Sequence, residues 1–128
     1  MKNALRINVE NQTIEQVQIG DWTTISVAIG NGCHNFCCPV DFDNMDTIYA
    51  DDESLLRYDD IKGGFMMEDW STPLVGNAII MGTDEDGESI DAKTTIAELE
   101  GKIKFLTEEQ CKRWASYTMS QPMQIYSF

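Results

Sequence analysis

The chain has 128 residues, of which 42% are hydrophobic and 24% are charged, and its formal net charge is −13. This length and hydrophobic content predict one folded domain over residues 1–128 with its own core, and they exclude a globally disordered chain. The negative charge argues against direct binding to nucleic acid or to an anionic membrane, and no run of about 18 apolar residues could span a bilayer.

The first half of the chain predicts mainly strands. Residues 4–9 (ALRINV) and 14–19 (IEQVQI) alternate apolar and polar side chains around a short polar turn, which indicates a β-hairpin. Residues 21–29 (DWTTISVAI) fit a helical face or a strand, and their Thr, Ile and Val content favours the strand. Residues 33–40 (CHNFCCPV) predict a strand that its proline places towards a sheet edge, and 46–50 (DTIYA) predict another short strand.

The middle of the chain combines an irregular segment with a buried strand. Residues 59–76 contain glycines, a proline and several large apolar side chains, and we expect a functional loop there. Residues 77–82 (NAIIMG) predict a buried strand. An acidic hairpin turn, TDEDGES over 83–89, follows this strand.

Two capping boxes predict helices in the last third of the chain. A threonine followed three residues later by glutamate begins a short helix through Leu99, and the pair Thr107 and Gln110 begins a longer helix over 108–119. Between them, 102–106 (KIKFL) predict a strand with alternating apolar side chains. Together the elements predict an α+β fold, with a mostly antiparallel sheet, a short first helix or strand, and a C-terminal helix packed on the sheet.

Acidic residues are concentrated in the first three quarters of the chain. No lysine or arginine lies between Arg6 and Arg57, and none lies within 63–92. Residues 1–92 contain 18 acidic and four basic residues, whereas 93–128 contain four acidic and five basic ones. This imbalance predicts attraction to basic surfaces and a stability that responds to salt.

Several turns resemble those of a known family. Gly30 follows the first short segment after the hairpin, an aromatic and acidic turn occupies 49–53 (YADDE), and 76–88 (GNAIIMGTDEDGE) form a strand with an acidic hairpin. In these features residues 4–92 resemble domain-of-unknown-function family 3846, whose members are small domains of phages, plasmids and their bacterial hosts. The family has no established activity, so the resemblance implies a mobile-element origin and no particular mechanism.

Three of the four cysteines cluster with the single histidine in residues 33–38 (CHNFCC). The N-terminus lacks the apolar segment of a signal peptide, so we expect a cytoplasmic protein whose cysteines are thiols or metal ligands. A strand would divide the four side chains between its two faces, so one zinc ion could not use them all. Cys111 would have to come in from the helix as a further ligand. Cys33 and His34 would also diverge, which disfavours a thiol nucleophile. We expect buried apolar thiols and no cofactor.

Acidic pairs could in principle hold a divalent cation. Asp41 and Asp43 are spaced to share one strand face, and so are Asp84 and Asp86. The turn at 84–88 lacks the glycine and glutamate positions of an EF-hand loop. The favoured interpretation is therefore a solvated turn that keeps strand edges soluble.

The sequence favours a non-enzymatic acidic interaction protein of phage or mobile-element origin. Its expected partner is a basic surface of a host nucleic-acid-binding or defence protein, which it would inhibit, as anti-restriction or anti-CRISPR proteins do, by mimicking the charge of DNA. The carboxylates would supply attraction, and an apolar loop at 65–70 would supply contact. The candidate contact residues are Asp41, Asp43, Asp46, Asp51, Asp52, Glu53, Phe65, Met66, Glu68, Asp69, Trp70, Asp84, Glu85, Asp86 and Glu88. A small metal- or thiol-dependent enzyme and a dimerisation domain are the alternatives.

Overall fold

Two antiparallel sheets form the framework of the protein, which confirms the expected α+β class. The structure is a computed structural model that describes residues 2–20, 24–30, 36–41, 44, 46–51, 58–68 and 73–120. In chain order its elements are β1 (Lys2–Asn8), β2 (Thr13–Ile19), α1 (Ile25–Ile29), β3 (Phe36–Asp41), β4 (Asp46–Asp51), a 3₁₀ turn (Tyr58–Asp60), β5 (Gly64–Met67), β6 (Leu74–Val75), β7 (Ala78–Thr83), β8 (Ser89–Ile90), α2 (Ile96–Glu100), β9 (Ile103–Leu106) and α3 (Glu108–Ser120).

The larger sheet has the strand order β2-β1-β7-β4-β3, and the short β8 also pairs with β7. The predicted N-terminal hairpin is confirmed, since β1 and β2 pair over their full length. Among the described strands β3 pairs only with β4, so the segment with Pro39 lies at an edge, as expected. The register shifts between Cys37 and Val40, where the proline has no N–H to donate.

The smaller sheet has the order β6-β5-β9 and corrects one prediction. The segment expected to be an irregular loop, 59–76, contributes two of its three strands. Phe65 and Met67 alternate with the less buried Met66, which is the period of a strand. The prediction took the glycines of this segment as a sign of a loop. Gly64 instead allows a close approach within the sheet, because a Cβ there would lie 2.5 Å from the Leu74 carbonyl oxygen.

The helices and sheets pack in four layers, in the order α1, larger sheet, smaller sheet with α2, and α3. The helix α1 covers one face of the larger sheet, and the other face packs against the smaller sheet and α2. The helix α3 covers the outer face of the smaller sheet, where Cys111 and Ala115 pack with Ile61 and Val75. The predicted packing of a C-terminal helix on a sheet is therefore confirmed.

The ambiguous segment before Gly30 is a helix, so the strand that its composition favoured was wrong. Ile25 and Ile29, four residues apart, are buried, whereas Val27 between them is 77% exposed. A strand would have placed all three side chains on one face. Gly30, with φ +74°, ends the helix in the left-handed region.

Both predicted capping boxes are present. The Thr95 hydroxyl accepts from the Glu98 N–H at 3.1 Å, and the Glu98 carboxylate accepts from the Thr95 N–H. Thr107 and Gln110 make the same exchange at the start of α3. None of the helices in the described part of the chain has the length and apolar character needed to cross a membrane.

Candidate functional site

The turn between β7 and β8 is an acidic projection at one end of the larger sheet. The N–H of Asp84 donates to the Glu88 carbonyl at 2.9 Å, and the N–H of Gly87 donates to the Asp84 carbonyl at 3.1 Å. The Asp84 carboxylate accepts from the N–H groups of Asp86 and Glu88, both at 2.9 Å. Gly87 has φ +84°, as this class of tight hairpin loop requires. The turn therefore uses one carboxylate for its own geometry and leaves Glu85, Asp86 and Glu88 exposed.

A cleft of about 400 Å³ lies beside this acidic turn. Its floor is apolar and consists of Ile19, Ile25 and Met81, each at most 2% exposed. Lys2 and Glu88 line it as well. Within the part of the chain that the structure describes, neither of these two side chains has an ion pair or a side-chain hydrogen bond. The cleft thus combines an apolar floor with one unpaired charge of each sign.

Charge is divided unequally between the two sheets. The described residues up to 51 together with 77–92, which build the larger sheet and α1, include ten acidic and two basic residues. The described residues of 58–76 and 93–120, which build the smaller sheet, α2 and α3, include seven acidic and six basic ones. The negative charge of the described residues therefore belongs mostly to the larger sheet.

The predicted carboxylates lie at two opposite ends of that sheet. Asp46 begins β4 opposite Gly82, close to the acidic turn, whereas Asp51 ends β4 opposite Phe36. Six strand residues separate the ends by about 17 Å. Asp41 pairs with Thr47 and so lies at the first end. Asp43, Asp52 and Glu53 lie outside the described residues.

Asp46 is a structural residue, which corrects its prediction as a partner contact. Its side chain is 0% exposed. Its carboxylate accepts from the Thr94 N–H at 2.7 Å and from the Lys93 N–H at 3.0 Å, directly before α2. A fully buried carboxylate whose oxygens are occupied by backbone donors cannot meet a partner. Asp51, at 8% exposure, also offers little surface.

The apolar contact predicted at 65–70 is only partly on the surface. Phe65 is 0% exposed and belongs to the core between the sheets, so its predicted contact with a partner is wrong. Met66 is half-buried and Glu68 is exposed. Asp69 and Trp70 lie outside the described residues.

The thiol and metal alternatives gain nothing from the described residues. The Cys111 thiol is buried under α3, and burial raises its pKa to about 11, which disfavours the reactive thiolate. Cys33 and His34 lie outside the described residues, and Cys37 and Cys38 lie in the backbone of β3. Among the described residues, no three His, Cys, Asp or Glu side chains are grouped to hold a metal ion.

Two long-range features have no signal in the sequence. The Arg6 guanidinium donates to the Glu15 carboxylate at 3.1 Å and to the Ala28 carbonyl at 2.9 Å, which ties the hairpin to the end of α1. The Asn77 side chain accepts from the Val9 N–H and donates to the Ile29 carbonyl. Likewise the cleft joins β1, β2, α1 and the acidic turn, and no local pattern connects segments so far apart along the chain.

Comparison of this chain with protein families, curated proteins and solved structures gives no match. The resemblance of residues 4–92 to a family of mobile-element domains therefore stays a prediction. The candidate site rests on the acidic turn, the adjacent cleft and the charge of the larger sheet.

Proposed function

We propose that this protein is a non-enzymatic interaction protein that binds a basic protein surface through the acidic end of its larger sheet. The observation that carries the proposal is the charge division, because ten acidic residues accompany only two basic ones in the described larger-sheet segments. A surface of one sign attracts a partner of the other sign over a distance of about a Debye length, close to 10 Å at moderate salt.

The acidic turn supports the same proposal through its geometry. Glu85, Asp86 and Glu88 extend from a loop that is closed by its own hydrogen bonds, so their backbone positions are set before a partner arrives. A preformed loop loses less conformational entropy on binding than a mobile one. The carboxylates can then contribute more of their attraction to affinity.

The proposed partner class is a nucleic-acid-binding protein of the host, such as a restriction or CRISPR defence protein, and the proposed action is inhibition in the cytoplasm of that host. Such proteins carry Lys and Arg grooves that match the closely spaced phosphates of DNA. The net charge of −13 and the resemblance to mobile-element domains support this class.

A competition experiment tests this function. The tagged protein is immobilised, host lysate is passed over it at 50 mM salt, and retained proteins are eluted by a salt gradient and then by duplex DNA. We expect nucleic-acid-binding proteins to elute in both steps, because charge mimicry and DNA use one groove. Retention that persists at 500 mM salt, or retained proteins that DNA does not displace, would contradict charge mimicry.

Two matched triple variants connect this result to the structure. Glu85→Gln, Asp86→Asn and Glu88→Gln together remove the three exposed charges of the acidic turn, and they should lower retention strongly. The control variant Asp59→Asn, Glu100→Gln and Glu109→Gln removes the same charge from exposed positions outside the larger sheet. Equal losses in the two variants would show that net charge, rather than the acidic end of the larger sheet, determines binding.

A further inference from the structure

The edge of the larger sheet at β2 lacks the features that usually keep a strand edge from pairing with another chain. Natural sheets protect their edges with proline, bulges, lysine or very short strands. At the opposite edge, β3 contains Pro39 and a shift of register. In the smaller sheet, β6 has two residues and β9 presents the exposed Lys104. By contrast, the seven residues of β2 pair with β1 without a shift and include neither proline nor lysine. Among the described strands, β2 is therefore the least protected edge.

The hydrogen bonds of β1 show which backbone groups of β2 point outward. The Asn3 N–H donates to the Asp91 carboxylate and the Asn3 C=O accepts from the Ala92 N–H, both on the side of β7 and β8. Backbone groups alternate in direction along a strand, so the even-numbered residues of β1 bond to β2. Their partners in the register are the odd-numbered residues of β2. The residues of β2 that direct their N–H and C=O groups out of the sheet are therefore Ile14, Gln16 and Gln18.

We infer that the β2 edge pairs with the β2 edge of a second copy, antiparallel and about a two-fold axis that passes between the two Gln16 residues. In this register Gln16 faces Gln16 of the second copy, and Ile14 faces Gln18 of the second copy. All three pairs along the contact are then of the hydrogen-bonded kind, in which opposite residues exchange both of their N–H···O bonds. The two larger sheets become one continuous sheet. This contact goes beyond the proposed function and does not depend on it.

Charge favours this edge over the rest of the larger sheet as a contact between two copies. The charged residue of β2 is Glu15, and its carboxylate is paired at 3.1 Å with the Arg6 guanidinium of the same copy. In the proposed register Glu15 faces Val17 of the second copy, so no like charges lie directly opposite each other. Two molecules of net charge −13 still repel each other through their other carboxylates. Salt screens that repulsion, so the pairing should be stronger at high salt.

Analytical ultracentrifugation of the full-length protein tests the pairing at about 500 mM salt, where the Debye length is about 4 Å. We expect a dimer whose Kd rises as the salt is lowered, which is opposite to the salt response of binding to a basic partner. A protein that stays monomeric up to about 0.5 mM at this salt would overturn the inference and leave the proposed function intact. A dimer that dissociates as salt is added would overturn it as well, since its contact would then depend on opposite charges.

Substitutions of Gln16 test the register, because this residue faces its own copy across the axis. Gln16→Lys and Gln16→Glu each place two like charges opposite each other and should raise the dimer Kd at least about ten-fold. An equimolar mixture of the two variants should form a dimer with a Kd within about three-fold of wild type, since opposite charges then face each other. A dimer that both variants leave unchanged, or that the mixture does not restore, would contradict the proposed register.

Val27→Lys is the matched control for Gln16→Lys. It adds the same charge at a side chain that is 77% exposed on α1, outside β2, and it should leave the dimer Kd within about two-fold. An equal loss in the two lysine variants would show that net charge, rather than the β2 edge, determines the association. Circular dichroism of each variant checks that the fold is retained.

Amide hydrogen exchange measured by NMR gives a readout that needs no substitution. The N–H groups of Ile14, Gln16 and Gln18 should be protected at protein concentrations well above Kd and should exchange rapidly well below it. The N–H groups of Glu15 and Val17, which bond to β1, should be protected at both concentrations. Protection that increases with concentration only in α3 or the smaller sheet would assign the dimer to another surface and overturn the inference.

Discussion

The carboxylate of Asp46 accepts a 2.7 Å hydrogen bond from the backbone N–H of Thr94, a residue 48 positions further along the chain. The same carboxylate accepts from the Lys93 N–H, and the Lys93 ammonium donates to the Asn44 carbonyl at 3.2 Å. These hydrogen bonds connect the start of β4 to the segment directly before α2. This contact joins the larger sheet to the helix that packs beneath it.

Replacing Asp46 by Asn should destabilise the protein by about 2–3 kcal/mol, because the buried N–H groups would lose their charged acceptor and face an amide that also carries donors. Urea denaturation measures the change in the free energy of unfolding. Asp86→Asn is the matched control, since that side chain is exposed, and it should change stability by less than about 0.5 kcal/mol. A similar loss in both variants would show that the Asp46 hydrogen bonds do not matter.

Gly64→Ala should destabilise the fold by roughly 2–3 kcal/mol, because the added Cβ would lie 2.5 Å from the Leu74 carbonyl oxygen and 2.8 Å from the Cys111 sulfur. Gly101→Ala adds the same methyl where the nearest neighbour is 3.5 Å away, and its effect should be within about 0.5 kcal/mol. Thermal unfolding compares the two. Truncating Cys111 to Ala in the Gly64→Ala background should restore only part of the loss, since the backbone clash persists.

The Cys111 thiol should make stability fall at high pH. Burial raises its pKa from 9.0 to about 11, so between these values the unfolded chain loses a proton that the folded chain keeps. The stabilisation is complete below pH 9 and is lost as pH rises through this window, by up to about 1.4 kcal/mol per pH unit. The measurement is the difference in unfolding free energy between wild type and Cys111→Ala from pH 8 to 10.5. A difference that stays constant would contradict the buried thiol.

Glu15 should contribute stability that disappears in acid. Hydrogen bonds from Thr13, Asn8 and Arg6 hold the pKa of its carboxyl below the ordinary 4.5, with the Thr13 bond the largest cause. The folded state therefore favours the carboxylate, so the stabilisation is present above pH 4.5 and is lost as pH falls through the lowered folded value. The melting temperatures of wild type and Glu15→Gln should converge as pH falls from 6 to 3. Melting temperatures that keep the same separation at pH 3 would contradict this contribution of Glu15.

Local sequence patterns predicted the elements whose chemistry is local. The alternation in the first hairpin, the capping threonines at 95 and 107, and the glycine in the acidic turn each specify their own geometry within a few residues. The smaller sheet was missed because Gly64 resembles a breaker in the sequence, and only its close approach to the Leu74 carbonyl oxygen and the Cys111 sulfur explains it. The burial of Asp46 was also missed because it depends on long-range contacts. The N–H groups that its carboxylate accepts from belong to residues 93 and 94.

The site was less predictable than the fold. Charge counting identified the acidic turn, because composition is visible without coordinates. It could not show that Asp41 and Asp51 lie at opposite ends of the larger sheet, since that depends on the antiparallel pairing of β3 with β4. The cleft brings together side chains as distant as Lys2 and Glu88, which no spacing rule connects.

The unequal division of charge among the described residues of the two sheets contributes an electric dipole moment. The electric field of an approaching basic protein exerts a torque on this dipole and turns its negative side towards that protein before any contact forms. Encounter geometry is then biased by the long-range field, so collisions would begin on the larger sheet more often than random tumbling allows. Immobilising the protein on a surface through α3, which packs on the smaller sheet, would leave the larger sheet free to face a partner. Attachment through the β1–β2 hairpin would hinder this approach.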